Sequence, residues 1–465
     1  MESFQVFKEQ LGDIPLTENP SIRLDHGTDE SFHSPKRPLM VLFPRSTADV
    51  SAIMKAATAH RVAIIPFGAG TSLEGHIIPE GPAVSIDLSQ MNRIVESNPQ
   101  DLDCLVEAGV HRKELNRILR HDGLFFPVDP GADATIGGMV ATRASGTNTV
   151  QYGTMADNIL GLTIVLADGQ VIQSGSRARK SASGYDLNHL FCGSEGTLGI
   201  ITEARLKLYG LPESSAVIRA AFPTIEDAVS VVTDCTQMGI NMTSAELLDE
   251  TLVKAINDFS QLDLTPKPSL WIEIQGSQAT IREQVEQIRE IVQDRSLDLQ
   301  MATEQKEREH LWGARHDALY ALIALKPKGR AYITDTCVAV SQLPHQIHKA
   351  KEDLESSGLV GSILGHVGDG NFHACLIIDP EDPKDLAKAE ALAEKIAWRA
   401  LEAGGTSTGE HGIGSGKVKF MATEHGPALD VMAAIKKTFD PLNILNPGKI
   451  IPSSYFNSST VEVAP

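Results

Sequence analysis

The stretch "PVDPGADATIGGMVATRASGTNTVQYG", residues 127–153, decides how the rest of the chain is read. Five glycines are spread through it, with Ser and Thr between them and little charge. Glycine allows positive φ and lets backbone N–H groups come close to a ligand, so such a loop can hold a pyrophosphate without a lysine. Two similar loops lie in the same half of the chain, "PFGAGTSLEG" at 66–75 and "FCGSEGTLGIIT" at 191–202. One glycine loop alone is an ordinary turn; three point to a common ligand. None matches G-x-x-x-x-G-K-[ST], which disfavours a P-loop nucleotide hydrolase. The first also departs from the Rossmann pattern, because its third glycine is displaced to Gly75. A large dinucleotide in a non-Rossmann fold is expected.

Around these loops the chain alternates strands and short helices. "VLFPRSTADVSAIMKAATAHRVAIIPFGAG" predicts strand, helix, strand, with Val50, Ile53, Met54 and Ala57 on one helical face. "LTIVLADGQVIQSG" predicts a hairpin about Asp168-Gly169. "LYGLPESSAV", at 208–217, marks a boundary. Beyond it come longer amphipathic helices, such as "TIREQVEQIREIVQD", and apolar strands, such as "SLWIEIQG". "DPLNILNPGKI" has no local partner and is expected to return to the first domain.

The 465 residues carry a net charge of -19, which argues against a general nucleic-acid or anionic-membrane binder. Five scattered cysteines, none in a C-x-x-C arrangement, argue against a disulfide scaffold, a Cys-based zinc site and an iron–sulfur cluster. The start, "MESFQVFKEQLGDIP", has no signal-type apolar core, and no run approaches the length of a membrane helix. The expected address is cytoplasmic, with peripheral attachment to a membrane left open. A homodimer is entertained.

The three loops, in this order and spacing, resemble the FAD-binding domain of the vanillyl-alcohol-oxidase/p-cresol-methylhydroxylase superfamily. The 127–153 stretch resembles in particular its cytochrome-type D-lactate dehydrogenase branch, and the resemblance spans about residues 38–451. It implies an α+β protein in three parts. These are an FAD-binding domain at 1–212, a cap or substrate domain with an antiparallel sheet at 213–438, and a C-terminal segment at 439–465 packing back on the first. It implies FAD contacts from Pro66, Gly68, Ala69, Gly70, Thr71 and Ser72. A second set is Pro130, Gly131, Ala132, Thr135, Gly137, Gly138, Ser145, Gly146 and Asn148. Glu195, Gly199, Ile201 and Asn446 complete it. Some relatives attach flavin covalently through a histidine of the first loop. Thr71 stands there in this chain, and His76, offset, is expected on the loop surface, so the FAD is expected to be dissociable.

"SILGHVGDGNFHACLII" predicts strand, turn, strand, with His366 and His373 flanking the turn. Two imidazoles across a hairpin can meet at one metal ion, yet a divalent site usually wants a third ligand. Glu410, in the glycine-rich "TSTGEHGIGSGK", is the candidate. The G-H-x-G-D-G-N-x-H and G-E-H-G-[IV]-G motifs resemble those of D-lactate and D-2-hydroxyglutarate dehydrogenases. The resemblance implies His366, His373 and Glu410 as ligands of a divalent metal: zinc, manganese or iron. A 2-hydroxy acid would chelate it, His411 would take the hydroxyl proton, and the Cα hydrogen would pass as hydride to flavin N5. Arg315 is a candidate clamp for the substrate carboxylate. Asn371 either bonds substrate or holds the turn.

The expected reaction is D-lactate to pyruvate, because no Lys or Arg is tied to a motif for a second carboxylate. Glycolate and D-2-hydroxyglutarate are the alternatives, as is the FAD subunit of a glycolate oxidase complex. Electrons would pass to a quinone, a cytochrome, another redox protein or oxygen. A metal hydrolase would leave the three loops unexplained, and the chain lacks H-E-x-x-H and a nucleophile elbow.

Overall fold

Helix Thr47–His60 shows why the first part of the chain folds as it does. Its N-cap Ser46 accepts from Asp49 N at 3.2 Å, and Val50, Ile53, Met54 and Ala57 are fully buried. That face packs with Ile64, Val84 and Ile86 of one sheet and with Val165 and Ile200 of another, in a single core. The computed structural model describes residues 2–456 and divides them into two compact units. The first unit takes residues up to Ser145, Gly153–Leu211 and the chain from Glu410 on; the second takes Gly146–Tyr152 and Pro212–Gly409.

The first unit has a four-stranded sheet in the order Leu16–Thr17, Val41–Leu42, Ala83–Asp87, Ala63–Phe67, in which the last three strands run parallel. Its second sheet is antiparallel, in the order Ile94–Asn98, Asp103–Glu107, Ile200–Lys207, Ile159–Val165, Val171–Gly175. The strand after the 127–153 loop and its partner form the expected hairpin about Gly169, which has φ +81°.

The last segment adds to the parallel sheet: Ile64 N donates to Ile444 O at 2.7 Å and Asn446 N to Ile64 O at 2.8 Å. Buried Lys436, on helix Ala428–Phe439, holds this return. Its ammonium donates to Asp440 Oδ2 at 2.5 Å and to the carbonyls of Thr197 and Leu445 at 2.8 Å each. The division differs from the expected one at 213–438 and 439–465, because the return begins at Glu410 rather than 439. Residues 457–465 of the expected return lie outside the described residues.

The second unit is built, among the described residues, on an eight-stranded antiparallel sheet. Its centre runs Ser214–Ala221, Ser269–Gly276, Met242–Leu248, Val360–His366, Asn371–Ile378. Capped helices frame it: Thr224 accepts from Asp227 N, Asp249 from Leu252 N and Ser277 from Thr280 N. Trp271, Leu252, Ile256, Leu322 and Ile377 form its core. Among the described residues no helix is long and apolar enough to cross a membrane.

Candidate active site

The three glycine loops converge inside the first unit. A methyl on Gly68 would stand 2.4 Å from Thr135 Oγ1, and one on Gly196 would stand 2.4 Å from the ring of Pro66. The absence of side chains at these two positions therefore lets the first loop lie against the second and the third. Thr135 caps helix Ile136–Thr142, and Gly137 N donates to Ala108 O at 2.8 Å. Gly70, with φ +70°, turns the first loop. Ser72 O accepts from Glu30 N, and its Oγ donates to buried Asp29 at 3.0 Å. Gly68 to Ser72 and Pro130 to Ala132 keep part of their surface open, as a ligand-facing loop requires.

Other expected FAD residues have structural duties. Ile201 lies in the core, and a methyl on Gly199 would meet Ile164 at 2.6 Å. Gly146 and Asn148 belong to the second unit, where Gln151 and Tyr152 of the same segment bond Thr243 and Gln275. Ser145 Oγ lies 3.3 Å from Glu410 Oε2 within the first unit.

His76 corrects the sequence reading. It is buried, 5% exposed, rather than on the loop surface, and its Nε2 lies 3.3 Å from Glu195 Oε1, a charge contact without hydrogen-bond alignment. Burial works against charging this imidazole, but Glu195, with Asp29 and Glu74 beyond it, raises its pKa above the ordinary value. Burial likewise penalises the Glu195 carboxylate, and His76 with two backbone donors more than offsets it, so the Glu195 pKa is lowered. Those donors are Ile413 N at 2.7 Å and Gly414 N at 2.8 Å. Asn446 Nδ2 ties the carbonyls of His76 and Glu195 together at 3.1 and 2.7 Å. Ser415 N donates to Glu74 O at 2.9 Å, and Lys417 pairs with the Glu74 carboxylate at 3.3 Å. The loop that begins with Glu410 and His411 is thus latched to the first glycine loop. His411 Nε2 lies 3.8 Å from Glu410 Oε1.

In the second unit, Leu364 pairs with His373, so His366, two residues on, projects from the same face. The ring centroids are 5.6 Å apart at 83°. His373 is the third residue of its strand, Asn371–Ile378. Its Nδ1 donates to the Thr334 carbonyl at 2.8 Å, and His366 Nδ1 donates to Glu246 Oε1 at 2.6 Å. Acceptor-only partners place both protons on Nδ1 in the neutral rings and the lone pairs on Nε2, the arrangement a metal-ligating imidazole uses.

Arg315 gives Nη2 and Nε to Glu246 Oε2, at 2.8 and 3.2 Å. Burial disfavours the Glu246 carboxylate, yet His366 and Arg315 bring its pKa below the ordinary value. Asn371 spends both Nδ2 protons within the protein, on Asp335 Oδ1 at 2.7 Å and Thr336 O at 2.9 Å. These bonds tie Asn371 to the neighbouring segment 335–336 rather than to the turn itself. Asp335 also accepts from Thr408 Oγ1 and Gly409 N, and one peptide bond further the chain reaches Glu410.

Glu246, Asp335 and Glu74 escaped the sequence reading, and His76 was read without its partner Glu195. Glu246 carried one usable signal, the lone charge in the otherwise uncharged strand "MTSAELL". The cysteines are free thiols, and burial pushes Cys104, Cys235 and Cys375 up to about 12, which makes them poor nucleophiles.

The fold has solved counterparts. The chain superposes on p-cresol methylhydroxylase with a TM-score of 0.81 at 16% identity, covering 99% of this chain and 98% of that one. On 4-ethylphenol oxidase from Gulosibacter chungangensis the score is 0.80 at 17% identity, covering 97% and 98%. At such identities the likeness establishes the fold alone. Sequence comparison goes further. Residues 38–175 match the FAD binding domain and residues 211–450 the C-terminal domain of FAD linked oxidases. The chain belongs to the family of FAD-linked oxidases. It is 45% identical over 457 residues to "Probable D-lactate dehydrogenase, mitochondrial" of Danio rerio, covering 97% of this chain and 92% of the relative. It is 44% identical to "D-lactate dehydrogenase [cytochrome], mitochondrial" of Arabidopsis thaliana, covering 94% and 78%. The glycolate oxidase subunit GlcD of Bacillus subtilis is 34% identical, covering 95% and 96%. The two D-lactate dehydrogenases are mitochondrial by name, which overturns the expectation of a cytoplasmic address.

Proposed function

We propose that the chain is an FAD- and metal-dependent dehydrogenase that oxidises D-lactate to pyruvate and passes the electrons to an external acceptor. The substrate rests on the D-lactate dehydrogenases that match nearly the whole chain. The converging glycine loops suit a dinucleotide, and Thr71 at the position of covalent attachment suits dissociable FAD. The observation that carries the metal is the histidine pair: both rings commit Nδ1 to acceptors and present Nε2 lone pairs from one face of one hairpin.

Glu410 supplies the third donor in this reading, giving two imidazoles and one carboxylate, a set that leaves coordination positions for substrate. Bound metal would supply Lewis-acid polarisation of the hydroxyl and carboxylate, and bound FAD would accept the two electrons. His411 removes the hydroxyl proton at its ring nitrogen as general base. Arg315 offers Nη1 to the substrate carboxylate, because its Nε and Nη2 are committed to Glu246. Asn371 acts through Asp335 by holding the loop that leads to Glu410. The acceptor is a quinone, a cytochrome, another redox protein or oxygen.

The test is an anaerobic flavin spectrum of the purified protein. D-Lactate is expected to bleach the oxidised flavin bands and L-lactate to leave them. Bands that persist with D-lactate in metal-replete protein, and bleach with glycolate or D-2-hydroxyglutarate instead, would replace the substrate.

A further inference from the structure

Glu246 sits in the strand Met242–Leu248, whose residues are all buried. A carboxylate there is strongly penalised by desolvation unless charges and donors meet it. Both oxygens are met. The antiparallel register sets Glu246 directly opposite His366, and Oε1 accepts from His366 Nδ1 at 2.6 Å. Oε2 accepts two hydrogen bonds from Arg315.

The consequence lies in the chemistry of the partners. An ionised carboxylate only accepts, so the neutral His366 ring must carry its proton on Nδ1 and its lone pair on Nε2. Arg315 only donates, so it holds Oε2 as an acceptor and leaves Oε1 facing His366. A glutamine at 246 would behave differently. Arg315 would claim the amide oxygen, the amide nitrogen would turn to His366, and the ring proton would move to Nε2. His373 is not exposed to such a change, because its acceptor is a backbone carbonyl. The two histidines are therefore held in the same tautomer by means that differ in their sensitivity to mutation.

We propose that Glu246 is a positioning residue that sets the tautomer of His366, with Arg315 as the donor that fixes the carboxylate's orientation. Metal retention then depends on a side chain that touches no metal. This rests on the metal reading above, and the experiment separates the two. The full chain with FAD bound is stripped of metal and titrated with Zn²⁺ against a chromophoric chelator, as wild type and as Glu246→Gln. Glu246→Gln is expected to bind Zn²⁺ about 10–100-fold more weakly, with its FAD content unchanged. Equal affinity in the two proteins would overturn the role of Glu246 and leave the metal site standing. A wild type that takes up no Zn²⁺ would overturn both. The tautomer itself is read without any variant at 246, from the imidazole nitrogen resonances of metal-free, ¹⁵N-histidine-labelled protein. The His366 signals are assigned by their loss in His366→Gln. A proton on Nδ1 is expected, and a proton on Nε2 would refute the proposal even if Glu246→Gln failed to fold.

Discussion

Gly68 is small because of what it touches. A Cβ there would have to displace Thr135 Oγ1 from 2.4 Å, and Thr135 is 1% exposed and caps its helix by accepting from Gly138 N. Turning the hydroxyl away would lose a cap worth about 1 kcal/mol and separate the first loop from the second. Gly68→Ala is therefore expected to lower FAD occupancy after gel filtration several-fold while the far-ultraviolet circular dichroism stays that of the wild type. Gly81→Ala, where a methyl meets nothing within 4 Å, is the matched control and should keep its flavin. Equal flavin content in the two variants would mean that the loops do not need this close approach.

At the scale of elements, the informative pieces are the histidine hairpin and the latched loop 410–417. The hairpin was legible because its signals are local: two strands, two turn glycines and histidines at a spacing that period-two geometry brings to one face. The three glycine loops were legible for a similar reason, since backbone freedom is written in the glycines themselves. Partners set by long-range register were not legible. Glu246 lies 120 residues from His366, and nothing near it in sequence announces the pairing. His76 was misplaced on the surface because its partner, Glu195, comes from another loop. That pair makes the latch sensitive to pH. The His76 pKa is raised, so its contribution is whole below its ordinary value of 6.5 and fades as pH rises through the folded-state value. The Glu195 pKa is lowered, so its contribution is whole above 4.5 and fades as pH falls through the folded-state value. Both act fully between pH 4.5 and 6.5. The melting temperature of wild type relative to a His76→Gln/Glu195→Gln double variant should be greatest in that window and should shrink on either side. A difference that does not vary with pH would mean the pair is not charged in the folded protein.

At the scale of the molecule, each unit closes its own core, and the chemistry is carried by loops and by one hairpin on those frameworks. The boundary near 211 was marked by a change in composition. The start of the return at 410 was not, because the segment looks like any soluble helix and loop until Lys436 and Asn446 find partners far away in sequence. One property of the whole chain bears directly on turnover, namely its net charge of -19. A field of one sign steers partners by their charge, and the effect weakens as the screening length falls from about 30 Å at 0.01 M salt to about 8 Å at 0.15 M. Reoxidation of the reduced flavoprotein by a cationic redox protein is therefore expected to slow about tenfold or more across that range. Reoxidation by a neutral quinone should change little, and flavin reduction by anionic D-lactate should, if anything, quicken as repulsion is screened. Stopped-flow measurement of the two half-reactions separates these cases. A cationic acceptor whose rate ignored salt would show that the acidic surface does not govern the approach to the flavin, and that the acceptor's docking site has a local charge of its own.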